Sequence, residues 1–212
     1  MPYRKEELAI NEIYHVFTKS IAGYKIFTSK FDYQRMLNTI IFYQISTPPC
    51  RFSFYKGPYC NAGLQRDKKL ITIIAYCIMP THLHLILRQE CPEGISKYMN
   101  LILKSYSKYF NLKHKRKGPL WEGRFKNVRV KNDEQFIHLT RYIHLNPVTS
   151  FLVNNPKDWK YSSYSEYTSI SHQNKICDFS DYISMSPSTY RKFVKDNIGY
   201  QRSLAKLKDV LL

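Results

Sequence analysis

The sequence predicts an α+β fold: a small antiparallel β-sheet with helices packed on it, followed by a C-terminal helical tail. Three observations carry that expectation. Hydrophobic periodicity changes along the chain in the order strand, helix, strand, strand, helix, strand. The two middle strands are separated by Pro80-Thr81 alone, the spacing of a hairpin. Each intervening helix has one apolar stripe and needs a sheet to cover it, so we expect the helices on one face of the sheet.

The elements follow in order. Ile13 to Ser20 is rich in β-branched and aromatic residues and reads as a strand. Phe31 to Ile45 places Phe31, Met36, Leu37, Ile40 and Ile41 at helical spacing. Leu70 to Met79 is an unbroken apolar run with several β-branched residues, the pattern of a central strand buried on both faces. His82 to Arg88 resumes as its hairpin partner. Glu93 to about His114 is a long amphipathic helix, striped by Ile95, Met99, Ile102, Leu103, Tyr106 and Phe110 and ended by Gly118-Pro119. Phe125 to Val130 is a short strand. Asn132-Asp133 supply capping residues for a helix from Glu134 to Asn146, which Pro147 should stop. Val148 to Ser165 is irregular, and Ser186-Pro187 opens a basic helical region.

The chain has 212 residues, of which 43% are hydrophobic and 32 aromatic, enough for a packed core. Lys and Arg exceed Asp and Glu by 17. An excess of that size asks for a polyanionic partner, nucleic acid first and an anionic membrane surface second. The apolar run 70–79 is about half the ~20 residues a membrane-spanning helix needs, and the N-terminal residues lack the apolar core of a secretion signal. Cys50, Cys60, Cys77, Cys91 and Cys177 are odd in number with no C-x-x-C pair, which fits a reducing cytoplasm and offers neither a disulfide framework nor a zinc ribbon.

Three features carry chemistry. His82-Leu83-His84 sits on a strand, where residues two apart share a face, so both imidazoles project together and form half a metal site. Alone, the pattern reads equally as two half-exposed histidines. On the helix that follows Asn132, Tyr142 and Asn146 are four apart and stack on the shoulder of the core stripe. In isolation these read equally as a rim tyrosine and a polar helix end. Between Lys97 and Lys131 there are eleven basic residues and one acid, a net of +10 in 35 residues, interleaved with Tyr98, Tyr106, Tyr109, Phe110 and Trp121. Cations neutralise phosphates and aromatics stack on bases, so the segment is a candidate nucleic-acid surface, with Lys104, Lys108, Lys113, Lys115, Arg116, Lys117, Trp121, Arg124, Lys126 and Arg129 as its contacts.

Together these residues resemble one family. Tyr76-Cys77-Ile78-Met79-Pro80-Thr81-His82-Leu83-His84-Leu85 resembles the histidine–hydrophobic–histidine motif of the single-tyrosine HUH transposases. Gly118-Pro119-Leu120-Trp121-Glu122-Gly123-Arg124-Phe125 resembles the signature that follows the long helix in the REP-associated tyrosine transposases, and Arg141 to Val148 is similar to their tyrosine-bearing helix. Pro156, Asp158-Trp159 and Ser162-Ser163-Tyr164 match their downstream segment.

The resemblance implies a ferredoxin-like or RRM-like HUH domain over 1–165 and a variable basic tail over 166–212. It implies that Tyr142 is the nucleophile, that His82 and His84 ligate Mg²⁺ or Mn²⁺, and that Asn146 is the third ligand. It implies cleavage and rejoining of single-stranded DNA beside hairpin or palindromic repeats through a 5′-phosphotyrosine, by a cytoplasmic, nucleoid-associated monomer or homodimer. A catalytically inactive nucleic-acid-binding regulator and a metal-dependent nuclease that uses water are the competing readings.

Overall fold

The computed structural model describes residues 8–48, 50–55, 69–170 and 175–211, so Cys60 and the first seven residues lie outside the described part. Four strands, β1 (Ile13–Lys19), β2 (Ile71–Met79), β3 (His82–Gln89) and β4 (Lys126–Arg129), form one antiparallel sheet in the order β2-β3-β1-β4. Helix α1 (Lys30–Phe42) connects β1 to β2, and α2 (Gly94–Lys113) connects β3 to β4. This βαββαβ order is ferredoxin-like, as expected. Beyond it come α3 (Asp133–Thr149), a short α4 (Tyr164–Thr168), α5 (Pro187–Lys195) and α6 (Ile198–Leu211).

The helices cover both faces of the sheet, not one. On the first face α1 and α2 bury Met36, Ile40, Met99, Ile102 and Tyr106 against Tyr14, Val16, Leu83 and Leu85. On the second, α3, α4 and α5 bury Phe136, Ile143, Val148, Tyr167, Tyr190 and Val194 against Ile74, Cys77, Met79 and Ile86. Each fully buried Ile, Leu or Phe contributes about 1.5–3 kcal/mol. The tail after residue 165 therefore shares the second core.

The run 70–79 is buried on both faces, but β2 is an edge strand rather than a central one. A buried edge needs every backbone group paired. The downstream chain supplies the partners: Ile78 N–H donates to Tyr161 O (2.9 Å), Ser163 N–H to Tyr76 O (3.0 Å) and Asp178 N–H to Ile73 O (2.9 Å). Tyr76 N–H donates to the Ser163 hydroxyl at 3.0 Å, and Tyr167 OH to Ile74 O at 2.7 Å. Apolar runs read the same in a central strand and in an edge strand covered by a loop.

Local chemistry sets the helix ends. Ser29 and Asp32 form a capping box on α1, which ends at Phe42, short of Ile45, and leaves Phe31 exposed. Helix α2 starts behind Glu93 in a left-handed conformation, and Ile95 N–H is satisfied by the buried Gln89 side chain. Gly94 packs so closely on Leu70 that a Cβ there would run into the Leu70 carbonyl oxygen. Asn132 caps α3 by accepting from Gln135 N–H, and α3 runs through Pro147 to Thr149. Proline in that last turn forfeits one helical bond, and buried Leu145 and Val148 on either side keep the turn packed. The Arg202 guanidinium then donates to Val148 O and Val153 O, both at 3.2 Å, which ties α6 to the end of α3.

Candidate active site

Alternation along β1 sends Tyr14, Val16 and Thr18 into the first core and leaves His15, Phe17 and Lys19 on the opposite face. In β3, His82, His84 and Ile86 take that same second face, with Lys19 opposite His82 and Phe17 opposite His84. The two imidazoles thus lie on one face of one strand, with ring centroids 5.0 Å apart.

Helix α3 crosses this face and supplies the other two residues. The Tyr142 ring lies edge-on to His84 at 5.8 Å and to His15 at 6.4 Å, and it is 43% exposed. Asn146, one turn on, is buried and hydrogen-bonds His82. The helix is anchored on its other side. His144 is fully buried, with Nδ1 2.7 Å from the Tyr190 hydroxyl of α5 and Nε2 2.8 Å from the Ser163 hydroxyl of the segment that covers β2.

The electrostatics keep the imidazoles neutral. Burial lowers His82 to about 4, assisted by the Lys19 charge and opposed by the Asn146 hydrogen bond. Burial pushes His84 well below its ordinary value, with His82, His15 and Lys19 adding to the effect. Burial takes His15 to about 4. At neutral pH each ring therefore carries a lone pair, the form that binds a cation.

Each candidate ligand also has its Nδ1 engaged: the Thr81 hydroxyl is 2.9 Å from His82 Nδ1, and His15 Nε2 is 3.0 Å from His84 Nδ1. That is the outer-shell arrangement of metal-binding imidazoles, which hold one nitrogen and present the other. Asn146 Nδ2 is buried without a hydrogen-bond partner. Among the described residues no three His, Cys, Asp or Glu side chains are grouped to hold a metal, so a cation here would rest on two imidazoles and one carboxamide. That donor set fits an octahedral divalent ion with positions left for phosphate and water.

The basic segment divides. Lys104, Lys108, Lys115, Lys117, Arg124 and Lys126 are exposed. Lys113 instead bridges at 2.6 Å to Asp32, whose side chain is fully buried. Arg116 donates to Asn111 and to Pro119 O, closing the turn after α2, and Arg129 pairs with Glu12. The interleaved aromatics are mostly core rather than stacking platforms. Tyr98, Tyr106 and Phe110 are buried, with the two phenols donating to Ile40 O and Ile26 O. Trp121, expected to contact DNA, is 8% exposed and its indole N–H donates to Leu103 O. A helical stripe and an aromatic-rich basic segment overlap in sequence, and the hydrophobic effect claims the rings.

What the segment does offer is a groove of about 820 Å³ with Lys97, Lys104, Trp121, Arg124 and Phe125 in its walls. A smaller one of about 200 Å³, between Phe17, Lys19, Glu122, Arg124 and Lys126, adjoins it at Gly123-Arg124. His15, Phe17, Lys19 and Thr81 escaped the sequence reading. The alternation of β1 puts His15, Phe17 and Lys19 on one face, but only the register against β3 shows that they meet the His82–His84 pair.

Residues 63–146, which include all four of His82, His84, Tyr142 and Asn146, match the family described as Transposase IS200 like. A REP-associated tyrosine transposase of Escherichia coli K12 is 29% identical over 104 residues, covering 48% of this chain and 58% of its own length. A Haemophilus influenzae protein assigned to the same group is 30% identical over 103 residues, covering 43% of this chain and 57% of that protein. The chain thus spans under two thirds of either relative. A solved structure of a REP-associated tyrosine transposase bound to a REP hairpin superposes with a TM-score of 0.56 at 19% identity, covering 87% of this chain and 98% of that one. In sequence and in fold the chain is similar to the REP-associated tyrosine transposases, and its histidine, tyrosine and asparagine constellation lies inside the segment that matches the IS200-like transposase model.

Proposed function

We propose that this chain cleaves and rejoins single-stranded DNA next to a hairpin or palindromic repeat, with Tyr142 as nucleophile. One observation carries the reading: α3 brings a half-exposed tyrosine to within 5.8 Å of His84, one of two neutral imidazoles on β3, with a buried carboxamide one turn on hydrogen-bonded to the other, His82. A phenol, two imidazoles and an amide converge from separate elements on one sheet face, where a packing role alone would not need them.

In this reading His82, His84 and Asn146 would hold Mg²⁺ or Mn²⁺, and imidazole donors favour Mn²⁺ over the oxygen-preferring Mg²⁺. The bound ion would supply charge neutralisation at the scissile phosphate. The Tyr142 phenol oxygen attacks phosphorus, so that one O–P bond forms and the P–O3′ bond breaks. The phenol loses its proton and the departing 3′-oxygen gains one. The product is a 5′-phosphotyrosine and a free 3′-hydroxyl, and a second 3′-hydroxyl can reverse the step to join new ends without ATP. Lys19, beside the imidazoles, is positioned to hold a phosphate oxygen. Lys104, Lys108, Lys115, Lys117, Arg124 and Lys126 track the backbone. Because Tyr142 and both histidines come from one chain, a monomer holds a complete set.

A labelled oligonucleotide carrying a hairpin and a single-stranded flank tests this directly. With Mn²⁺ the reading requires a protein–DNA adduct and a free 3′-hydroxyl fragment, both absent with EDTA and in His82→Ala and His84→Ala. Cleavage without an adduct would instead make the protein a water-using nuclease. Binding without cleavage would make it a regulator of the same fold.

A further inference from the structure

His15 lies outside the matched segment 63–146, yet it touches the centre of the site. Its Nε2 is 3.0 Å from His84 Nδ1, and the two rings stack at 5.2 Å with an interplanar angle of 21°. Two neutral imidazoles at that distance share a single proton, and the two ways of sharing differ in consequence. If His15 donates, His84 Nδ1 accepts, the His84 proton sits on Nε2, and that nitrogen cannot bind a cation. If His84 Nδ1–H donates, its Nε2 keeps a lone pair. Antiparallel pairing fixes which residues meet: His15 is two positions along β1 from Phe17, the partner of His84, and on the same face.

We propose that His15 is a positioning residue that accepts the Nδ1–H of His84 and so holds the Nε2 lone pair of His84 ready for the divalent cation. The inference rests on the reading that His84 is a metal ligand and adds the element that selects its tautomer. The Thr81 hydroxyl lies 2.9 Å from His82 Nδ1 but can donate as well as accept, so the tautomer-selecting contact is the one between His15 and His84.

The test uses the full chain labelled with ¹⁵N at histidine, free of metal and DNA at neutral pH, and reads which ring nitrogen of His84 is protonated. The proposal requires the Nδ1–H tautomer in the wild type. His15→Phe keeps a ring of similar size but cannot accept, so His84 should shift toward Nε2–H. Mn²⁺ binding, followed by titration calorimetry, should weaken about 10–100-fold, the usual cost of losing an outer-shell partner. His15→Gln, whose carbonyl oxygen can accept, should restore the Nδ1–H form and most of the affinity. A wild-type His84 protonated on Nε2 would overturn the proposal, as would unchanged Mn²⁺ affinity in His15→Phe or a His15→Gln variant as weak as His15→Phe. The wild-type tautomer decides alone if a variant fails to fold or no Mn²⁺ binding is measurable. Because it is read without DNA, a wrong tautomer leaves the phosphotyrosine reading standing, and a missing adduct leaves the tautomer result standing.

Discussion

Replacing His144 with glutamine should make the protein less stable at neutral pH and equally stable in mild acid. The imidazole is fully buried between the Tyr190 and Ser163 hydroxyls, and burial lowers it to about 3. Its folded pKa therefore lies below the unfolded value of about 6.5, so its contribution is fully present above pH 6.5 and is lost as pH falls toward 3. Between pH 7.5 and pH 5.0 the wild type should forfeit about 2 kcal/mol through this one group. Glutamine does not titrate, and at pH 7.5 it should cost about 2 kcal/mol through the hydroxyl left unpaired. The difference between the two proteins should thus close to near zero at pH 5.0. Urea unfolding followed by tryptophan fluorescence suits the measurement, because Trp159 packs against both cores. The buried imidazoles of His15, His82 and His84 are common to both proteins and cancel. A stability gap that is the same at both pH values would refute a neutral, clamped His144.

Further expectations follow from named contacts. Lys113→Met leaves Asp32 buried without its ammonium partner and should cost about 1–2 kcal/mol, a figure discounted because the lysine is 35% exposed. The burial of Asp32 alone would raise its pKa, but bonds from Lys113, Ser29, Tyr109 and Thr28 hold it well below the usual range. The deficit should therefore shrink as pH falls below about 4, measured by the same urea titration. Gly94→Ala drives a Cβ into the Leu70 carbonyl and should lower stability by about 3 kcal/mol, seen as a fall in Tm; an unchanged Tm would contradict the close approach. Reversing Lys104, Lys108 and Lys126 together should reduce the salt slope of single-strand binding by about 2, near 0.7 per lost phosphate contact. Reversing Lys192 and Lys195 of α5 should leave the slope unchanged.

Most of the fold was legible because the period changes are sharp. The hairpin around Pro80-Thr81 and the stripe of α2 follow from local sequence alone. The errors came where long-range pairing decides. Whether an all-apolar strand is central or an edge depends on Tyr161 to Ser163, more than 80 residues away, laying their backbone along it. The two-sided packing of the sheet depends on Tyr190 and Val194, in a tail whose sequence matches no motif. In the site, the same-face histidines and the Tyr142–Asn146 pair were readable from periods of 2 and 3.6. His15 was not, because its value comes only from register against His84. The intramolecular partners of Trp121 and Lys113 were hidden for one reason: composition shows an aromatic or a cation, and only the packed structure shows what it is already bound to.

The central claim is that Tyr142 becomes covalently attached to DNA. Wild type and Tyr142→Phe should be incubated with the hairpin oligonucleotide and Mn²⁺, digested with trypsin, and the adduct peptide sequenced by mass spectrometry. The account predicts a single phosphorylated tyrosine at position 142 in the wild type. Tyr142→Phe should give no adduct with oligonucleotide affinity within about twofold, because only a half-exposed hydroxyl is removed. An adduct on Tyr98, Tyr106 or Tyr109, or an adduct that persists in Tyr142→Phe, would contradict it.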